Sequence, residues 1–231
     1  MKKIIALISV LIILATSFCG CKKNPDTTDD PHIVTNLNEG SASTLKLSYS
    51  KADMLDPFTC TMNANIQILG LVYDGLYKLD KNYEPIPVIA KSSIISGTTI
   101  NVTLNSVKFS DGTALTANDV AYSFNKAKNA PYYVEKLKNI SSVSISSSNM
   151  LVFTLVDPDP YALACLTFPV VKNGSEGELP IGSGRYAAQV SGETIYLIVN
   201  SKKSGFNPAI KTIALIPVRD NDSLESSLEI G

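Results

Sequence analysis

The chain has 231 residues, 45% of them hydrophobic and 18% charged, and its formal net charge is −1. This length suits one large domain or two small ones, and the near-neutral charge gives no electrostatic basis for binding nucleic acid. Histidine occurs only at position 32 and arginine only at positions 185 and 219. Histidine-based catalysis and arginine clamps therefore have few places to form.

The N-terminus has the pattern of an export signal. A short basic region at 1–3 precedes an apolar stretch at 4–18, which is shorter than the roughly 20 residues that a membrane-spanning helix needs. Gly20 and Cys21 follow, in an order that resembles a bacterial lipobox. We therefore predict that residues 1–21 are a lipoprotein signal peptide and that Cys21 is lipidated. The lipid would anchor the exported protein to the outer face of the cell membrane, or hold it in the periplasm.

Residues 22–42 are expected to form a flexible tether. They are rich in Asn, Asp, Thr and Pro and cannot bury enough apolar surface to offset the entropy of ordering them. Because His32 lies in this segment, a Ser–His–Asp or Cys–His arrangement is disfavoured in the folded body. With no HExxH, P-loop or dinucleotide fingerprint, the sequence predicts a protein that is not an enzyme and needs no cofactor. A Ser–Lys hydrolase stays open as an alternative, although no S-x-x-K with supporting motifs stands out.

Two cysteines, Cys60 and Cys165, lie in the body of the chain. Their spacing is not that of a metal site, so no bound metal is expected. Two buried free thiols are the usual arrangement. A disulfide between them stays open, because an exported protein meets an oxidising compartment.

The body alternates between strand-like and helix-like patterns, which predicts an α/β fold. Strands are predicted at 44–50, 94–96, 99–104, 107–109, 140–145, 150–156, 186–190, 194–199 and 212–217. Helices are predicted at 63–77, 117–129, 132–139 and 161–167, with a further helix beginning at 221, while 79–87 is expected to be irregular.

The segment at 107–124, VKFSDGTALTANDVAYSF, contains a turn followed by a capped helix. Gly112 is free to take the positive φ of a tight turn, and Asp111 precedes it. Thr116 and Asp119 have the spacing of a capping box. We assign these four residues to structure rather than to chemistry.

This segment resembles the hallmark segment of the solute-binding proteins of bacterial oligopeptide, dipeptide and nickel ABC importers, which form family 5 of the extracellular solute-binding proteins. Further segments match that family in the same order. They are LDP at 55–57, VYDGLY at 72–77, PVIAKS at 87–92, PIGSGRY at 180–186 and SGFNPAIK at 204–211.

The resemblance implies a fold like that of the periplasmic binding proteins, in which two lobes close around a solute. On this basis residues 43–66 and 181–231 are expected to form the main domain of the first lobe, and residues 67–180 a smaller appended α/β domain. The second lobe would be missing, and a fragment and a truncated protein both stay open.

The resemblance also implies a function. The protein would be an extracytoplasmic lipoprotein that captures peptides, or a related small solute, and delivers them to the permease subunits of an ABC importer. A monomer is expected. The alternative is a surface-anchored lipoprotein with an interaction or sensing role and no transport activity.

By resemblance, the loop that follows LDP lines the first lobe's side of the cleft. Its hydroxyl and amide groups suit hydrogen bonds to a peptide main chain, and its methionine is an adaptable apolar contact. Phe168 lies where the appended domain reaches the cleft in relatives. The alternatives are that Thr61 or Asn63 only caps the next helix and that Phe168 is a core residue. The predicted ligand-binding residues are Thr59, Cys60, Thr61, Met62, Asn63 and Phe168.

Lipidation can be tested with a labelled fatty acid. We expect Cys21→Ala to abolish metabolic incorporation of the label, because the modified thiol is lost. Cys19 is a weaker candidate because bulky Phe18 precedes it, so Cys19→Ala serves as the control and should keep the label. Label retained in Cys21→Ala would contradict the prediction and favour Cys19, and absence of label in the wild type would favour an ordinary cleaved signal without lipid.

Overall fold

The structure, a computed structural model, describes residues 44–177 and 179–218. The predicted signal peptide with Cys21, the tether with His32, and the predicted helix at 221–230 lie outside these residues. In the described part of the chain, no helix is long and apolar enough to cross a membrane.

The described residues contain ten strands, two α-helices and one 3-10 helix. The strands are β1 Thr44–Ser50, β2 Tyr77–Leu79, β3 Pro85–Pro87, β4 Ala90–Ser96, β5 Thr99–Leu104, β6 Ile140–Ser147, β7 Met150–Leu155, β8 Tyr186–Ser191, β9 Thr194–Val199 and β10 Thr212–Val218. The helices are α1 Asn63–Val72 and α2 Ala117–Ala127, and the 3-10 helix is Ala162–Cys165.

The first sheet has the strand order β1-β10-β9-β8. β1 pairs in parallel with β10, and the other pairs are antiparallel. Parallel neighbours need a long crossover connection, and here the connection includes the whole second sheet. Helix α1 packs on β1 and β8. It buries Ile68, Leu69 and Val72, at the spacing of an amphipathic helix.

The second sheet is antiparallel, with the order β4-β5-β7-β6. In β7, Leu151, Phe153 and Leu155 are buried and alternate with partly exposed residues. Helix α2 covers this face, and the ring of Phe124 meets that of Phe153 edge-on, with centroids 5.5 Å apart. The helix and the sheet are two layers that share one apolar core, which contains Val120 and Phe124 of α2 and Leu151 and Phe153 of β7.

The chain returns to the first sheet through a close backbone contact. The Gly184 N–H donates a hydrogen bond of 2.8 Å to the Val72 carbonyl oxygen at the end of α1. A Cβ atom on Gly182 would lie 2.2 Å from that oxygen, and one on Gly184 would lie 2.4 Å from the Val72 carbonyl carbon. Because real Cβ atoms do not approach so closely, only glycine fits at these two positions.

The hallmark segment at 107–124 bonds to residues 172 and 173, which precede this contact in the chain. The capping box of α2 is present: the Thr116 N–H donates to the Asp119 carboxylate at 2.8 Å. The other oxygen of Asp119 accepts the Asn173 N–H at 3.0 Å. Asp111 forms an ion pair of 2.5 Å with Lys172. The segment is therefore structural, as predicted. Its two carboxylates also bond to residues that are far away in the sequence, Lys172 and Asn173.

Several predicted elements differ from the structure. The helix predicted at 63–77 ends at Val72, because the chain turns there and Tyr77 pairs with Pro87 in a two-stranded sheet. That sheet lies partly in the segment 79–87, which is predicted to be irregular. Residues 132–139 form turns instead of a helix.

The domain boundaries stay a prediction. Helix α1 continues past position 66 and packs on the first sheet as far as Val72. The predicted start of the appended domain, residue 67, therefore lies within this helix.

The backbone contact at Val72 can be tested by adding one methyl group. We expect Gly184→Ala to lower the free energy of unfolding by about 1–3 kcal/mol, because the Cβ atom overlaps the α1 backbone. The matched control is Gly70→Ala, where no atom lies within 4 Å of the new Cβ. It should be neutral or stabilising by up to about 1 kcal/mol, as expected for Gly→Ala in a helix. Urea unfolding measures both variants, and equal stabilities would contradict the role of Gly184.

Candidate ligand cleft

Two carboxylates organise the loop between β1 and α1: Asp56 accepts the Phe58 and Thr59 N–H groups at 2.7 and 2.9 Å, and Asp53 holds the residues that follow. One oxygen of Asp53 accepts the Thr61 N–H at 2.8 Å, the Met62 N–H at 2.7 Å and the Cys60 thiol at 3.1 Å. Partial burial raises the pKa of Asp53, but the hydrogen bonds from Met62, Cys60 and Thr61 outweigh this effect and lower it below its usual value. The loop is thus closed around a negative charge.

Buried Asn65 fixes the same loop from the helix side. Its side-chain amide donates to the Ser50 carbonyl at 2.9 Å and to the Asp53 carbonyl at 3.1 Å. Its carbonyl oxygen accepts the Ser50 N–H at 2.9 Å. All of these bonds reach the end of β1 or the start of the loop, so Asn65 locks α1 to the strand that precedes it.

Cys60 and Cys165 are both free thiols, so the disulfide alternative is not formed. Cys60 is buried, whereas Cys165 is only half-buried. Burial, followed by the hydrogen bond to Asp53, raises the pKa of Cys60 to about 12. A thiol in this environment stays protonated and is a poor nucleophile, and its role in the loop is that of a hydrogen-bond donor.

Four of the five predicted loop residues are exposed, and the fifth, Cys60, is 2% exposed. The exposed residues are Thr59, Thr61, Met62 and Asn63. Helix α1 has Met62 as its N-cap, with no side-chain capping hydrogen bond. The alternative that Thr61 or Asn63 serves only as a helix cap is therefore wrong, and these polar side chains remain available at the surface.

Phe168 is fully buried, and its ring packs edge-on against that of Phe124, with centroids 5.8 Å apart. The expected ligand contact by Phe168 is corrected on this ground, because a ring without exposed surface offers nothing to a solute. Its neighbours Thr167 and Pro169 do line a cleft. Of these two residues Thr167 is partly exposed and Pro169 is buried.

That cleft has a volume of about 670 Å³ and lies between the surface of α1 and the turns at 132–136. It is lined by Pro57, Cys60, Ile66, Gln67, Leu69, Gly70, Tyr73, Asp74, Gly75, Tyr77, Lys78, Leu79, Val88, Tyr132, Tyr133, Lys136, Thr167, Pro169, Arg185 and Lys203. Pro57 and Cys60 join it to the loop described above.

Aromatic rings and a lysine form one wall. The rings of Tyr132 and Tyr133 meet edge-on at 5.0 Å, and the Lys136 ammonium lies 3.9 Å from the centroid of the Tyr132 ring. Burial raises the pKa of Tyr133 well above its usual value, so its hydroxyl stays neutral. This wall offers stacking surface and a positive charge.

The opposite end of the cleft contains Asp74, which forms an ion pair with Lys203 and accepts a hydrogen bond from Ser183 at 3.3 Å. The carboxylate is therefore neutralised. Within residues 44–177 and 179–218, no cluster of three or more His, Cys, Asp or Glu side chains is arranged to hold a metal ion.

The cleft residues Tyr132, Tyr133 and Lys136 are not singled out by the sequence pattern. Their only local signal is two aromatic residues and a lysine directly after Pro131, which breaks α2. Asp53 and Asn65 likewise resemble ordinary loop and helix residues. Their roles depend on partners seven to fifteen positions away along the chain.

Comparison with known proteins identifies the family. Residues 84–231 match the model of the bacterial extracellular solute-binding proteins, family 5 (middle), and this chain belongs to that family. The predicted family and its α/β periplasmic-binding-protein-like fold are confirmed. The relatives are solute-binding proteins rather than enzymes.

Curated relatives and solved structures agree with this assignment. The glutathione-binding protein GsiB of Salmonella paratyphi A is 27% identical over 197 residues, which are 77% of this chain and 38% of GsiB. The oligopeptide-binding protein AppA from Bacillus subtilis, in complex with a nonapeptide, has a TM-score of 0.66 at 22% identity, covering 81% of this chain and 42% of AppA. NikZ from Campylobacter jejuni, in complex with Ni(L-His), has a TM-score of 0.65 at 23% identity, covering 82% and 42%. The chain thus spans about two fifths of the length of these proteins.

The loop around Asp53 can be tested through stability and pH. We expect Asp53→Ala to cost about 1–3 kcal/mol at neutral pH, because two backbone N–H groups and the buried Cys60 thiol lose a charged acceptor. The lowered pKa of Asp53 stabilises the fold above the unfolded-state pKa of about 3.9, and this contribution is lost as the pH falls through the lower folded-state pKa. The difference between wild type and variant should therefore shrink below about pH 4.

Urea unfolding across pH 3–7 measures this difference. Asp157→Ala is the control, because Asp157 is exposed and only its backbone is bonded, to Asn139. A cost for Asp53→Ala that does not depend on pH would contradict the role of its negative charge.

Proposed function

We propose that this chain is part of an extracytoplasmic solute-binding protein of an ABC importer, which captures short peptides or a related small solute and delivers them to the permease subunits. The cleft beside the ordered loop carries this proposal. Its 670 Å³ lies within the range of about 300–1,000 Å³ usual for sites that hold small molecules. The chain spans about two fifths of the length of its relatives. The activity of the whole protein is therefore part of this proposal.

The composition of the cleft suits a peptide. Apolar and aromatic side chains such as Leu69 and Tyr133 provide contact area, and a few polar groups orient the solute. Of the predicted loop residues only Cys60 lines the cleft, while Thr59, Thr61, Met62 and Asn63 are exposed on the same loop beside it. These four residues are the proposed rim contacts, and the turns at 132–136 provide the facing wall.

The named ligands of the relatives favour the same class. GsiB is a glutathione-binding protein and AppA was solved with a nonapeptide, and glutathione is itself a tripeptide. Peptides are therefore the first class to test. The capture step would follow the mechanism of the family, in which a second lobe closes over the solute, and no covalent chemistry is required.

The proposed location is the outer face of the cell membrane, where a lipid on Cys21 would hold the protein and residues 22–42 would act as the tether. The lipobox-like order of Gly20 and Cys21 after the apolar stretch supports this. We propose a monomer, which delivers solute by contact with the permease.

Blocking the cleft tests the proposal. Gly70 lines the cleft on α1, and nothing lies within 4 Å of an added Cβ. A tryptophan can therefore enter the cleft without disturbing the core. We expect calorimetry on the complete gene product to show binding of glutathione or of peptides three to nine residues long, and Gly70→Trp to weaken it by about tenfold or more.

Gly70→Ala, which adds only a methyl group, is the matched control and should bind as the wild type does. Unchanged affinity in Gly70→Trp would move the site away from this cleft. If no peptide binds and the permease is not contacted, the transport function is refuted in favour of an interaction or sensing role.

A further inference from the structure

We infer that the solute bound in this cleft is an acidic peptide, with more carboxylates than ammonium groups, and that Lys136 is the residue that recognises the extra carboxylate. The inference rests on the proposed function and names the class of solute for the same cleft. Its basis is the charge of the cleft lining.

The lining side chains carry more positive than negative charge, although the chain as a whole has a formal net charge of −1. Four cations line the cleft, against a single carboxylate, that of Asp74. The cations are Lys78, Lys136, Arg185 and Lys203. A concave surface with one sign of charge concentrates the field inside it and attracts ions of opposite sign.

The internal pairing leaves most of this positive charge unmatched. Asp74 pairs with Lys203. Among the described residues, the ion pairs are those of Lys138, Lys172 and Lys203, and none involves Lys78, Lys136 or Arg185. The excess positive charge is therefore available to a ligand.

Among the three cations that form no ion pair in the described residues, Lys136 has the most defined position. Its ammonium lies 3.9 Å from the centroid of the Tyr132 ring and 5.6 Å from that of Tyr133. The negative faces of the rings attract the cation. The N–H donors that do not point at the ring stay available for a carboxylate, and charge-assisted hydrogen bonds are the stronger kind.

The neighbouring Lys138 shows what an ordinary surface lysine looks like in this structure. Its ammonium lies 3.5 Å from the Glu135 carboxylate, and both side chains are largely exposed. It belongs to the same series of turns but does not line the cleft. Lys136 therefore lies in the cleft over an aromatic ring, whereas Lys138, two positions away, is paired on the surface. This difference is why the recognition role is assigned to Lys136.

Three tripeptides that differ only in the central residue test the inference by calorimetry on the complete gene product. The probes are Ala-Glu-Ala, Ala-Gln-Ala and Ala-Lys-Ala. We expect Ala-Glu-Ala to bind about tenfold more tightly than Ala-Gln-Ala, the value of one charge-assisted contact, and Ala-Lys-Ala to bind most weakly. Raising the salt concentration should reduce the preference for Ala-Glu-Ala, because ions screen the attraction.

Lys136→Gln should weaken Ala-Glu-Ala by about tenfold, to the level of Ala-Gln-Ala, and leave Ala-Gln-Ala within about twofold. Lys138→Gln is the matched control and should leave all three affinities unchanged. Circular dichroism confirms that both variants are folded.

Each other outcome overturns a distinct statement. Equal affinities for the three probes, or a preference for Ala-Lys-Ala, overturn the acidic class while the binding function stands. An acidic preference that survives in Lys136→Gln overturns the assignment to Lys136. Failure of the three probes while glutathione or a longer peptide binds overturns this inference alone. Failure of every peptide of three to nine residues, glutathione included, removes the evidence of binding on which the proposed function and this inference both rest.

Discussion

The structure depends on one backbone contact, between the end of α1 and the residues that return the chain to the first sheet. The Val72 carbonyl accepts the Gly184 N–H at 2.8 Å, and glycine at 182 and 184 lets the two backbones touch. The chain leaves the first sheet and comes back to it at the same place, so the second sheet is inserted without opening the first core. Asp111 and Asp119 hold residues 172 and 173 just before this contact. The hallmark segment therefore fixes the crossing point rather than a ligand.

The cleft lies beside this crossing. Helix α1 supplies one side of it, and Asn65 and Asp53 keep the preceding loop in one conformation through hydrogen bonds at both of its ends. Tyr132 and Lys136 face the cleft from the other sheet's side of the chain. The cleft is thus built from segments that are far apart in the chain, at 57–79, 88, 132–136, 167–169, 185 and 203, and four of its lining side chains are cationic.

Most of the fold could be predicted, and less of the cleft. Alternation in β5, β7 and β9 and the capping box of α2 are local signals, so these elements agree with the sequence within a few residues. The helix predicted at 63–77 ends at Val72 in the structure. The pattern of apolar residues continues past Val72, but the chain turns there and Tyr77 pairs with Pro87. Phe168 was expected at the surface by resemblance, yet the packing of Phe124 encloses it. Exposure of an apolar residue depends on which partners cover it, and a single sequence does not record those partners.

The sequence by itself determined the family, the α/β pattern, the turn and cap of α2, and the presence of a polar loop after Asp56-Pro57, because each of these depends on residue types at short spacing. Only the tertiary structure decided which residues form the cleft, that the carboxylate of Asp53 closes the loop, and that Lys136 lies over Tyr132 without an ion pair while Lys138 has one. The physical reason is that burial and backbone approach depend on residues far apart in the chain, such as Val72 and Gly184. Even the local contacts of Lys136 and Lys138 depend on the turns that the chain forms at 132–139.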